Sequence, residues 1–195
     1  SRAFLHLVSI KGKRSLLKEE LRLGLLWWLS SCFFVYISLR WGSDLVKYVT
    51  DKNILSKPCK TQMSIQEIQL VGQRLINILK ENKDGVWLAA NQVGIDLAVC
   101  VIVVDRPIIL ANPKIVGKFG KSFYQEACLS FPGDYVITER WTDIVVRDDY
   151  NKGDMIFSFT KNSLECVCVQ HEIDHLNGIT MHDRAVDPEI FNGEQ

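Results

Sequence analysis

Two histidines four residues apart, His171 and His175, stand in "VQHEIDHLNG" (169–178), with Glu172 directly after the first and Asp174 directly before the second. On a helix that spacing puts both imidazoles on one face. Neutral ring nitrogens so placed chelate a divalent transition metal, and a glutamate beside the first histidine can serve as general base. The five-residue pattern also recurs by accident, as a helix with two satisfied histidines. A catalytic ion needs a third protein ligand and an open position for water. Cys128, inside "EACLSFPG" (126–133), is the best candidate, although spacing alone does not select it over Cys100.

The elements that must position these residues are legible around them. A helix capped by Asn162 or Ser163 should run through His175 to about Asn177, with Gly178 as its stop. Its Leu164, Cys168, His171, Glu172 and His175 fall on one face. A second helix begins at the capping box Ser64-Ile-Gln-Glu67, and its Ile65, Ile68, Val71, Leu75, Ile78 and Leu79 recur at helical spacing up to 82–85. Strand-like runs follow at 99–104, 108–111, 122–129, 143–147 and 155–159, and the strand bearing Cys128 is expected to end at Pro132-Gly133. "DDYNKGD" joins the last two runs as a hairpin. The fold expected is α+β, small antiparallel and mixed strands around a central metal-binding helix, with another helix N-terminal to it.

A chain of 195 residues is long enough for one domain with a full core, and its net charge of zero carries no footprint for nucleic acid. Six cysteines without a compact scaffold pattern, several inside apolar runs, fit a reducing compartment. Composition turns globular near residue 43. Before it, a basic cluster (Lys11, Lys13, Arg14, Lys18, Arg22) precedes 17 uncharged apolar residues, 23–39, at the lower limit for a membrane span. Residues 1–42 read as a targeting or anchoring segment, or as an extension unrelated to the domain at 43–195. The expected place is the cytoplasm, with an organellar or membrane-anchored location through residues 1–42 as the alternative.

Three segments, "GVWLAANQVG" (85–94), "EACLS" (126–130) and "QHEIDHLNG" (170–178), resemble in order and spacing the signature motifs of peptide deformylases. "LANPKIV" (110–116) is similar to that family's N-P-containing strand, and the likeness covers about residues 43–186. The resemblance implies a hydrolase that removes the formyl group from the N-terminal methionine of nascent polypeptides, with the ribosome as a further partner. It makes Cys128, His171 and His175 the metal ligands, with Fe²⁺ as the active ion and Zn²⁺ or Ni²⁺ as substitutes. It makes Glu172 the general base, and Gln92 with the backbone N–H of Leu129 the oxyanion donors. Val86, Trp87, Leu164, Val167 and Cys168 would line or border the substrate pocket, and Glu126 and Asp174 match positions that orient the histidines. The chain departs from the pattern at Ala127 and at Trp87, both glycine in the family. Trp87 is expected to act on substrate binding and not to touch the ligand set. Three rival readings follow: a zinc peptidase, for which only His182 lies downstream as a third ligand; a metal-binding domain without turnover, its cleft occluded by Trp87; and an interaction module anchored through residues 23–39.

Overall fold

A computed structural model describes residues 47–82 and 85–187. The basic and apolar stretch of residues 1–42, and with it the boundary expected near residue 43, lies outside the described residues. Among them no helix is long and apolar enough to cross a membrane.

A short helix α1 (Lys52–Leu55) is followed by α2 (Ile65–Glu81), which begins at the capping box foreseen from the sequence: the Glu67 N–H donates to the Ser64 hydroxyl and the Ser64 N–H to the Glu67 carboxylate. Its buried stripe is Ile68, Val71, Leu75, Ile76, Ile78 and Leu79. Ile65, read as the first residue of that stripe, is exposed instead.

That sheet is β1 (Trp87–Ala89), β2 (Val99–Val103) and β3 (Pro107–Ala111), antiparallel in the order β1–β2–β3. Alternation along each strand sends side chains to opposite faces. Leu88, Val99 and Val101 pack with α2 in one core cluster. Trp87, Ala89, Cys100, Ile102, Ile108 and Leu110 join another on the opposite face, together with Cys168, Val169 and Ile173 of α3 (Phe159–Leu176). One helix therefore covers each side of the sheet.

A second antiparallel sheet, β4 (Lys114–Phe119), β7 (Asp143–Arg147) and β8 (Met155–Ser158), closes the α3 side through Ile144, Val146 and Phe157. The β7–β8 hairpin forms where "DDYNKGD" placed it. The stretch "LANPKIV" is not one strand: Asn112, at φ 49, turns the chain between β3 and β4, and Pro113 cannot continue a ladder.

The third sheet is the hairpin β5 (Ser122–Cys128) and β6 (Phe131–Arg140). Pro132-Gly133 do not end this region. The register jumps from Ala127↔Tyr135 to Cys128↔Phe131, so residues 132–134 bulge out of the ladder, where Pro lacks no partner and Gly133 takes φ 87. All pairings are antiparallel, none parallel, among the described strands.

In α3 the backbone is non-helical at Asn162 (φ −160, ψ 100), and the Asn162 Oδ1 accepts the Glu165 N–H at 3.1 Å. Asn162 is thus the cap of the histidine-bearing segment, and Ser158 caps a separate preceding turn by accepting from Thr160 N–H. From Cys166 to Leu176 every residue is buried, so this is a core helix covered on all sides and not a surface helix with one wet face.

Candidate metal centre

α3 and the end of β5 bring three donors together. The His175 Nε2 lies 3.1 Å from the His171 Nε2 and 3.3 Å from the Cys128 Sγ, and one ligand atom from each of the three residues falls within 4.8 Å of the others. Among the described residues no other group of His, Cys, Asp and Glu converges in this way. Cys100, the open alternative to Cys128, is buried in the core on β2 and is not in the set.

Donors around a tetrahedral ion at ~2.0–2.3 Å stand roughly 3.3–3.7 Å apart, which these separations approach. The tautomer agrees. The His171 Nδ1 lies 2.7 Å from the Glu126 carboxylate, which accepts its proton and leaves Nε2 with a lone pair. Burial, and then the neighbouring His171, push the His175 pKa well below the ordinary histidine range, so that ring is neutral. Burial raises the Cys128 thiol to about 12, the Glu172 charge adding to it, against hydrogen bonds from the Ser130 and Phe131 backbone N–H and the Ser130 hydroxyl. A thiolate at that position needs a cation beside it. The donor set fits a divalent transition ion.

Glu172 is fully buried, and neither carboxylate oxygen has a hydrogen-bond partner. Burial, with the Glu126 charge second, raises its pKa well above the ordinary carboxylate range. Its charge in turn acts on the thiols of Cys100, Cys128 and Cys168, which places it among them and beside the donor set. Gln92 sits in a 3-10 turn, Ala90–Val93, directly after β1, and is 1% exposed. Its Oε1 accepts the Ala89 N–H at 2.8 Å, and its Nε2 donates to Cys128 Sγ at 3.2 Å and to Ser130 Oγ at 3.3 Å.

Behind the histidines lies a buried charge network that contact, and not spacing, creates. Burial alone would raise the Glu126 carboxyl, but bonds from His171 and Arg140 and the Arg140 charge hold it far below the usual range. Arg140 Nε and Nη2 donate to Glu126 at 2.5 and 3.0 Å, Arg140 Nη1 donates to Asp174 at 2.6 Å, and Thr138 also donates to Glu126. Arg184 completes the network on Asp174 at 2.8 Å. Asp174 therefore has a partner the sequence did not name. Arg140 was out of reach of the sequence because its place follows from a pairing: with 131–140 registered as Glu126↔Val136, alternation puts Thr138 and Arg140 on the Glu126 side.

Beside Cys128 opens a cleft of about 710 Å³, with Val86, Trp87, Leu129, Phe131 and Tyr135 in its walls. Of the five pocket candidates, Val86 and Trp87 line it. Val167 and Cys168 are buried in the core, and Leu164 packs against the core; none of these three is in the cleft wall. Trp87 departs from expectation by touching the ligand set. Its ring centroid lies 5.8 Å from that of His171 at a 60° tilt, because strand alternation points residues 87 and 89 toward α3.

Comparison with known proteins places this geometry in company. The family model described as polypeptide deformylase matches residues 44–190. The peptide deformylase of Aquifex aeolicus is 35% identical over 154 residues, 72% of this chain and 86% of that protein. That of Hydrogenovibrio crunogenus is 45% identical over 98 residues, spanning 48% of this chain and 57% of the relative. The crystal structure of peptide deformylase from Thermotoga maritima superposes with a TM-score of 0.66 at 28% identity, covering 74% of this chain and all of that one.

Proposed function

This chain belongs to the polypeptide deformylase family, and from that premise we propose that it hydrolyses the formyl amide at the N-terminal methionine of nascent polypeptides, with residues 43–195 as the catalytic domain. The observation that carries the reading is the convergence of Cys128, His171 and His175 beside a buried, unpartnered Glu172.

Cys128, His171 and His175 would hold the ion, Fe²⁺ by family resemblance with Zn²⁺ or Ni²⁺ able to replace it. When bound, it supplies Lewis acidity that brings a water toward ionisation near neutral pH. Glu172 takes the proton of the attacking water and returns one to the leaving amine as the C–N bond breaks, a role open to it because no protein donor holds either carboxylate oxygen. The Gln92 Nε2–H and the Leu129 backbone N–H stabilise charge on the formyl oxygen as the tetrahedral geometry develops. Glu126 and Asp174, held by Arg140, keep His171 and its helix in register. Val86 and Trp87 form the wall of the methionine site. Ribosome association, work in the cytoplasm and a separate role for residues 1–42 belong to the same proposal.

The full chain, purified anaerobically and loaded with Fe²⁺, should release formate from a formyl-methionyl tripeptide. Metal-loaded protein without formate release would reject the activity and leave a metal-binding domain.

A further inference from the structure

Asn91 lies in the 3-10 turn between Ala90 and Gln92, 6% exposed, and no role in the chemistry above uses it. Its Nδ2 donates to the backbone carbonyl of His175 at 2.7 Å, across 84 residues of chain. A carbonyl only accepts, so the amide orientation is fixed by this bond. Its Oδ1 then stays behind as a buried acceptor without a protein partner. The residue whose carbonyl it holds carries an atom in the complementary state: the His175 Nδ1, also buried and without a partner. With Nε2 turned to Cys128 and His171, that nitrogen carries the ring proton and is a donor. Its counterpart on His171 has Glu126.

We propose that Asn91 is a positioning residue for His175, accepting the Nδ1–H through one buried water while its own amide grips the carbonyl of the same residue. Two buried polar groups of opposite type, on two residues already joined by a hydrogen bond, are what a bridging water requires. The two histidines are thereby oriented by different means, one by a carboxylate and one by an amide. His171 gains basicity from Glu126, and His175 gains orientation without added negative charge.

The inference rests on the metal reading, and the test separates the two. The full chain is titrated with Co²⁺, whose thiolate-to-metal absorption reports the donor set; a wild-type protein without that band removes the metal reading itself. Given the band, Asn91→Leu, which loses both amide groups, is expected to bind Co²⁺ about 10–100-fold more weakly. Asn91→Asp loses the donor but keeps the acceptor as a carboxylate, which adds negative charge behind the ring, and should bind Co²⁺ at least as tightly as wild type. Both variants lose the bond to the His175 carbonyl. A purely structural Asn91 would therefore weaken both alike or neither, and either pattern overturns the proposal. Imidazole N–H resonances of the Zn²⁺-loaded wild type give an answer that needs no variant to fold. A His175 Nδ1–H slow to exchange and in contact with a bound water supports the proposal; an unprotonated or freely exchanging Nδ1 overturns it.

Discussion

At the scale of single residues, Glu172 and Cys128 sit within one pocket and predict opposite phenotypes. On the proposed mechanism Glu172→Gln removes the proton carrier and no ligand, so kcat should fall about 10²–10⁴-fold while metal content stays stoichiometric by elemental analysis. Cys128→Ala removes one of the three proposed ligands, and both metal and turnover should be lost. Trp87, at 5.8 Å from His171, should report the site optically. Co²⁺ should quench indole emission in the wild type and far less in Trp87→Phe. The histidines and Glu172 were legible because one turn of helix fixes their relation within five letters of sequence. Arg140, Ser130 and Asn91 were not, since their partners are brought near only by tertiary folding. The reach of Trp87 to His171 was misread for a related cause: the short strand β1 that aims it was not recognised.

At the scale of elements, the histidine helix is defined by its two ends. Asn162 caps it through the bond to Glu165, and Asn162→Ala should cost ~1 kcal/mol, seen as a fall of ~2–4 °C in Tm, with Co²⁺ affinity unchanged. At the other end Gly178 holds φ 73, and a Cβ there would lie 2.7 Å from the Ser56 backbone. Gly178→Ala should therefore destabilise by more than the ~1 kcal/mol usual for a left-handed alanine, measured by urea unfolding. Both ends were readable, since caps and stops are local chemistry. Strand limits were less so. β4 is a half-exposed edge strand with glycine inside it, and its apolar period is too faint to read. Pro132-Gly133 looked like an end because a bulge and a strand terminus use the same residues.

For the molecule as a whole, the α+β layout followed from the two strong helices and the short strands between them, while the partition into three sheets depended on pairings that no local pattern encodes. The network Glu126–Arg140–Asp174–Arg184 binds the β5–β6 hairpin, α3 and the 3-10 turn Met181–Arg184 into one body. Arg140→Ala would leave two buried carboxylates without their shared cation and should cost ~3–5 kcal/mol in denaturant unfolding. Arg184→Ala, half-exposed, should cost much less. The donors themselves are divided between that hairpin and the helix, with Cys128 and His175 47 residues apart. A chain broken off during synthesis anywhere before His171 carries at most Cys128, without either histidine, and cannot assemble the three-donor set. The site is therefore completed only when synthesis has passed the second histidine and the helix has packed against the hairpin.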